Sequence, residues 1–181
     1  MHLGFIGIGS MGLPMAINLL NSGHSLNFLN RSRNLDLHKI FKRAFSCSSP
    51  SLTAISVDVL LICVTDDKAV EQVLFGPEGC FDSLRPGAFV LDFSTISYKS
   101  AISFSRRLQK RNIKYFDCPV TGGTEGASNG TLTILIGGKK EELNHVSHIL
   151  KTLSSNIFYF DDIGSGQKVK AVNQILVAGT Y

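Results

Sequence analysis

His2-Leu3-Gly4-Phe5-Ile6-Gly7-Ile8-Gly9-Ser10-Met11-Gly12 is an apolar run broken by closely spaced glycines. The run His2 to Ile6 reads as a short strand that stops at Gly7. A helical pattern starts near Ser10, with Met11, Met15 and Leu19 at helical spacing, and ends at Gly23. Between them lies a G-x-G-x-x-G, and each glycine has a physical task there. Gly7 permits a tight turn, Gly9 lets backbone approach a pyrophosphate, and Gly12 lets helix pack closely on strand. The helix start then offers free N–H groups and the positive end of its dipole to phosphates. An ordinary glycine turn before a helix shares this pattern. Its place inside a strand–helix–strand unit favours dinucleotide binding, with Gly7, Ile8, Gly9, Ser10, Met11 and Gly12 as the contacts.

The alternation continues outward from that unit. Strands are expected at Ser25 to Leu29, Val57 to Val64, Ala88 to Phe93, Lys114 to Val120, Leu132 to Ile136 and Asn156 to Phe160. Leu35 to Phe45 reads as a weaker helix or helix plus strand, and Ser49-Pro50 as a helix start. Helices are expected at Asp66 to Leu74, Ser97 to Arg111 and Lys140 to Leu153, with a glycine-rich stretch at Gly122 to Gly130. Val57 to Val64 is nearly all apolar, as suits a central parallel strand covered on both faces. Strands alternating with helices imply an α/β fold, a Rossmann-type doubly wound and mainly parallel sheet. Gly164-Ser165-Gly166 then opens a helix that still runs at Tyr181. It reads as the start of a long interdomain helix, which divides the chain into residues 1–163 and 164–181.

Composition narrows the function classes. Of 181 residues, 44% are hydrophobic and 18% charged, which suits a folded chain able to bury a core. Eighteen Lys and Arg against 14 Asp and Glu leave +4, spread along the chain. That distribution lacks the dense basic clusters of a nucleic-acid binder and suits a small anionic ligand. No apolar run approaches the ~20 residues that span a bilayer. The chain start lacks a basic leader segment, so no membrane partner and a cytoplasmic location are expected. Cys47, Cys63, Cys80 and Cys118 are widely spaced, and the five histidines converge on no carboxylates. Neither disulfides nor a metal site is expected.

The end of the second strand bears on which dinucleotide is taken. An Asp or Glu placed there would accept hydrogen bonds from the adenine ribose hydroxyls and repel a 2′-phosphate. This chain has Asn30-Arg31-Ser32-Arg33 instead. Asn30 is neutral, Arg31 brings a planar fork of donors, and Ser32 adds a hydroxyl. NADP(H) is therefore the expected cofactor, with NAD(H) the alternative, and solvated loop arginines the plainer account of Arg31 and Arg33.

Gly4 to Gly12, with Met15-Ala16 and Asn18-Leu19, resembles the cofactor signature of the β-hydroxyacid dehydrogenases. That family includes 3-hydroxyisobutyrate dehydrogenases and the tartronate-semialdehyde and glyoxylate/succinic-semialdehyde reductases. Asp117-Cys118-Pro119-Val120-Thr121-Gly122-Gly123, continuing through Gly126-Ala127 and Gly130-Thr131-Leu132-Thr133, is similar to its substrate-binding signature. Gly164-x-Gly166-x-x-x-Lys170-x-x-Asn173-Gln174 looks like its catalytic segment. The resemblance implies that Val64, Thr65 and Thr95, at strand ends, contact the cofactor. It also implies a further all-helical domain after the linking helix, absent from this chain, and a homo-oligomeric full-length form. Thr121 stands where the family usually has Ser, Tyr98 where it commonly has Pro, and Leu35 where a Lys is frequent.

The residues make chemical sense on their own terms. Lys170, Asn173 and Gln174 are spaced i, i+3 and i+4 and share one helix face. Such a stripe holds a substrate oxygen and moves a proton. Val169, Val172 and Leu176 fall on another face, expected to pack inward, while Lys168 points elsewhere. Thr121-Gly122-Gly123 offers a hydroxyl and backbone N–H groups as a small nest for a carboxylate, although a plain turn reads the same way. The expected function is an NADP(H)-dependent oxidoreductase moving a hydride between nicotinamide and a small β-hydroxy acid or its aldehyde or keto form. Lys170 would be catalytic, and Thr121, Gly122, Gly123, Asn173 and Gln174 would bind the carboxylate-bearing substrate. The alternatives are a dinucleotide-binding module without turnover and an imine or other reductase on the same scaffold.

Overall fold

The segment Val59–Ile62 is buried along its whole length, and its side chains alternate between two separate apolar layers. Val59 and Leu61 enter one layer, Leu60 and Ile62 the other, as the two-residue period of a strand requires. This strand is the centre of the fold. The computed structural model describes residues 1–30 and 41–180. Its strands are β1 (His2–Ile6), β2 (Ser25–Leu29), β3 (Ala44–Ser46), β4 (Val59–Ile62), β5 (Phe89–Asp92), β6 (Lys114–Asp117), β7 (Val120–Thr121), β8 (Leu132–Gly137) and β9 (Ser154–Phe160). Its helices are α1 (Gly12–Asn21), α2 (Pro50–Thr53), α3 (Asp67–Phe75), α4 (Tyr98–Gln109), α5 (Gly123–Asn129), α6 (Ser147–Leu153) and α7 (Ser165–Thr180), with a 3-10 helix at Lys140–Val146.

Among the described residues the strands form one sheet, ordered β3-β2-β1-β4-β5-β6-β8-β7, with β9 beside β8. From β3 to β6 all pairs are parallel. The chain winds outward from β1 in one direction, returns to β4, and winds outward in the other. A crevice therefore opens at the carboxyl ends of β1 and β4, where such sheets take their ligands. One apolar layer, containing Met15, Leu19, Ile149 and Leu150, holds α1 and α6 against the sheet. The other, containing Val70, Leu74, Phe104 and Leu108, holds α3 and α4. The doubly wound, mainly parallel architecture is thus as expected. No helix among the described residues is long and apolar enough to cross a membrane.

Several local expectations give way. The strand expected at Lys114 to Val120 breaks after Asp117, because Pro119 has no N–H to continue the ladder. The chain resumes as β7, antiparallel to β8. The glycine-rich stretch contains α5, which opens at Gly122 and closes on the left-handed Gly130. Asn18 of α1 holds it by donating from Nδ2 to the carbonyl of Ala127 at 2.8 Å. The span Lys140 to Leu153 divides into the 3-10 helix and α6. On α7, Val169 is half-buried, but Val172 and Leu176 are 58% and 65% exposed. Among the described residues the expected inward packing of that face is absent, and α7 is buried only over its first two turns. Most of the element expected at Leu35 to Phe45 lies outside the described residues.

Candidate functional site

The glycine turn is built by close backbone approach. Gly7 has φ +100°, and a Cβ there would lie 2.0 Å from the Cys63 carbonyl oxygen. A Cβ on Gly12 would lie 2.0 Å from the Gly7 carbonyl oxygen and 3.0 Å from the Phe5 ring. Both contacts press β1, β4 and α1 together, as their spacing predicts. Gly9 differs: a Cβ there meets nothing within 4 Å. The N-cap residue of α1, Met11, makes no side-chain cap hydrogen bond, and the first turn holds no acidic residue. The helix start thus keeps its donors and positive dipole end open to an anion.

Two cavities meet along the carboxyl edge of β4. The larger, about 1320 Å³, is lined by Gly7, Ile8, Gly9 and Asn30, and extends past Asp66 along α3. The smaller, about 510 Å³, is lined by Met11, Thr95, Thr121, Gly122, Gly123, Lys170 and Gln174. Cys63, Val64 and Thr65 line both. Residues widely separated in sequence, with expected roles at the two ends of one reaction, are therefore brought to one place. Ser10, Gly12 and Asn173 line neither cavity. Ser10 is exposed at the helix start, Gly12 is buried beneath it, and Asn173 is half-buried with its Oδ1 shielded and without a hydrogen-bond partner among the described residues. Arg31 and Ser32, with Arg33, lie outside the described residues.

In the smaller cavity, Gly122 and Gly123 have φ +126° and +61°, conformations that glycine adopts without strain. Facing them, Lys170 is 7% exposed and its Nζ donates to Gln174 Oε1 at 2.6 Å. Burial holds the Lys170 pKa below the ordinary lysine value, because the charged ammonium loses water. Lys168 behaves as expected of the neighbour that points away: it is exposed, with Nζ 5.0 Å from the centre of the Tyr98 ring.

Beneath this cavity lies a buried polar network that sequence reasoning missed. Asp92 and Asp117 end β5 and β6 as register partners on adjacent strands. Asp92 accepts from Tyr115 Oη at 2.8 Å and from the Ser94 N–H at 3.0 Å. Burial nevertheless pushes its carboxyl up to about 6, with the neighbouring Asp117 adding to the effect. Asp117 accepts from the backbone N–H of Gly164 at 2.6 Å and of Gln167 at 2.9 Å, so its carboxylate caps α7. Burial raises its pKa too, against the pull of those N–H bonds. Ser94 Oγ accepts from the Val64 N–H at 3.0 Å, linking the network to β4. A signal was available: an Asp closing an otherwise apolar strand, as in Val90-Leu91-Asp92 and Tyr115-Phe116-Asp117, must find buried partners.

A parallel sheet that reverses its order beside such a glycine turn is a Rossmann-type nucleotide-binding unit. Comparison with known proteins makes this specific: a family model describing the NAD binding domain of 6-phosphogluconate dehydrogenase matches residues 2–161, and the chain belongs to that family. It is 38% identical over 178 residues to the 2-hydroxy-3-oxopropionate reductase of Escherichia coli K12, covering 98% of this chain and 61% of that protein. It is 35% identical over 175 residues to a probable mitochondrial 3-hydroxyisobutyrate dehydrogenase of Dictyostelium discoideum, covering 97% and 54% respectively. Among solved structures, a 3-hydroxyisobutyrate dehydrogenase from Salmonella typhimurium superimposes with a TM-score of 0.89 at 30% identity, over 97% of this chain and 61% of that one. The chain thus spans a little over half the length of the relatives it matches.

Proposed function

We propose that residues 1–163 form an NADP-binding domain, and that residues 164–181 begin a helix leading to a further helical domain. In the full protein these segments serve an NADP(H)-dependent oxidoreductase acting on a small β-hydroxy acid or its aldehyde or keto form. The observation that carries this reading is the smaller cavity, where Lys170 faces the Thr121-Gly122-Gly123 turn beside Thr95. The names of the relatives, dehydrogenases and a reductase of small hydroxy acids, support the same chemistry.

The residues present fit a dinucleotide. Gly9 leaves open space where any side chain would intrude, and the uncapped start of α1 suits a pyrophosphate. Gly7 and Gly12 shape that turn, Ile8, Ser10 and Met11 complete it, and Val64, Thr65 and Thr95 line the strand edge beyond. Asn30, with Arg31 and Ser32, admits a 2′-phosphate where an acid would repel it. When bound, the nicotinamide supplies or accepts the hydride.

This chain's own residues handle the rest. The Gly122 and Gly123 N–H groups and the Thr121 hydroxyl hold the substrate carboxylate. Lys170 Nζ gives a proton to the substrate oxygen during reduction and takes it back during oxidation, with Gln174 and Asn173 orienting the groups. Burial lowers the Lys170 pKa from the ordinary lysine value, the direction that eases release of its proton and its return.

Calorimetric titration with NADPH and with NADH tests the cofactor half, and a substrate screen tests the remainder. Tighter NADPH binding, lost on Arg31→Ala, supports the reading, and a preference for NADH overturns the account of Arg31. Lys170→Ala is expected to leave the cofactor Kd within about twofold and to lower kcat by about 100-fold or more, the weight of a general acid–base group. Retained turnover removes Lys170 from that role. Cofactor binding with no turnover on any hydroxy acid, aldehyde or imine identifies a binding module.

A further inference from the structure

Gln167 lies three residues before Lys170 on α7 and is only 3% exposed. A buried carboxamide has a donor and an acceptor end to satisfy, and leaving either unpaired is costly. Here it satisfies both on the backbone that follows β5. Its Oε1 accepts from the Ile96 N–H at 3.1 Å, and its Nε2 donates to the Ser94 carbonyl at 2.8 Å. These bonds fall on the two residues flanking Thr95, which lines the smaller cavity. One such bond would fix a distance; the pair also fixes rotation. The backbone of Gln167 is held separately, by its N–H bond to Asp117 at 2.9 Å. Gly166 permits that approach, since a Cβ there would lie 2.9 Å from Asp117 Oδ2 and 2.3 Å from the Leu135 carbonyl oxygen.

We propose that Gln167 is a positioning residue, joining the Ser94–Ile96 segment and the first turn of α7 into one rigid unit that sets Lys170 against the Thr95 wall of the cavity. This rests on the reading of Lys170 as the proton-handling group and names a residue through which its placement is set. Gln167 itself lines neither cavity and acts through Lys170 on one side and Thr95 on the other. Lys168, next in sequence and turned toward Tyr98, is the natural control.

The test is Gln167→Met in the full chain, which keeps length and shape while removing both side-chain hydrogen bonds. Two NMR readouts are used: hydrogen exchange of the Ile96 amide, and the pH titration of the Lys170 side chain, assigned with Lys170→Arg. Ile96 exchange is expected to accelerate about tenfold or more, as follows from losing a buried hydrogen bond. The Lys170 midpoint is expected to rise by about half a pH unit or more as water gains access to the loosened amine. Lys168→Ala should move neither. A purely structural role lowers the melting temperature and leaves the Lys170 midpoint of the folded protein in place, and that result overturns the proposal. If Gln167→Met does not fold, the wild-type protein decides. Its Ile96 and Gln167 amides should then exchange through one shared opening as denaturant is raised, and independent opening of Ile96 overturns the coupling. Calorimetry with NADPH and NADH on the same samples separates the two ideas. Wild-type protein that binds neither removes the functional reading, whereas the exchange and titration data still judge the coupling.

Discussion

Replacing Asp92 by Asn should change the pH dependence of stability in a defined direction. The Asp92 carboxyl is wholly buried and is pushed from an ordinary 3.8 up to about 6. The folded chain therefore binds this proton more tightly than the unfolded chain does. Stability contributed by the neutral form is complete at about pH 4 and is lost as pH rises through about 6. The displacement is roughly two pH units, and at about 1.4 kcal/mol per unit the loss is about 3 kcal/mol above pH 6. In Asp92→Asn the side chain keeps its shape, carries no charge, and retains an oxygen for the Ser94 N–H. It gives up the acceptor for the Tyr115 hydroxyl, a cost of about 1–2 kcal/mol that does not depend on pH in this range. The variant should thus be the less stable protein at pH 4 and the more stable at pH 8, with a swing of about 3 kcal/mol between them. Urea unfolding followed by circular dichroism at pH 4, 5, 6, 7 and 8 measures this directly. A difference that stays constant across the series would refute the reasoning, because it would show that Asp92 titrates alike in both states.

Three other substitutions probe separate parts of the fold. Gly9→Ala, where a Cβ meets nothing within 4 Å, should leave the melting temperature nearly unchanged and weaken NADPH binding about tenfold or more. Gly12→Ala, whose Cβ would strike the Gly7 carbonyl at 2.0 Å, should instead destabilise by about 3 kcal/mol. Normal cofactor affinity in Gly9→Ala would discard the proposed cradle. At the opposite edge of the sheet, burial lowers the pKa of His24, whose Nδ1 lies 3.4 Å from the Met1 ammonium nitrogen and whose ring lies tilted against that of His148, with centres 5.5 Å apart. The folded chain binds this proton less tightly than the unfolded chain, so stability is full above about 6.5 and falls as pH drops below it. His24→Gln should flatten that acid-side decline in melting temperature between pH 7 and pH 5, and an unchanged slope would exclude His24 as its source.

The strands were legible because burial on both faces leaves a nearly continuous apolar run, as at β4, and because glycines punctuate the elements. The glycine turn was legible for the same reason: Gly7 and Gly12 are demanded by backbone contacts that no other residue permits. Reading failed where tertiary contacts outweigh local pattern. The segment that forms α5 is rich in glycine and Ser/Thr/Asn, and its helix is secured by packing and by Asn18 from another helix. Val172 and Leu176 were expected to face the protein because they are apolar at helical spacing, yet periodicity shows only that a face is apolar and not what lies opposite. Gln167 fell in the spacer between Gly166 and Lys170, and nothing local distinguishes it from a solvated glutamine. Its role exists only once β5 delivers Ser94 and Ile96 to it.

The helix that carries Lys170 is held at its beginning and exposed for much of its remaining length. Its first turn is tied to the carboxylate of Asp117, which makes that carboxylate the fulcrum of any tilt of the helix. At 1.5 Å per residue, Lys170 stands about 8 Å from the start of α7 and the last described turn about 22 Å. A tilt of about 10° about the anchored end would carry that last turn about 4 Å but Lys170 little more than 1 Å. Because the amine sits on the short arm, such a tilt changes the geometry of the cavity far less than it moves the distant end of the helix.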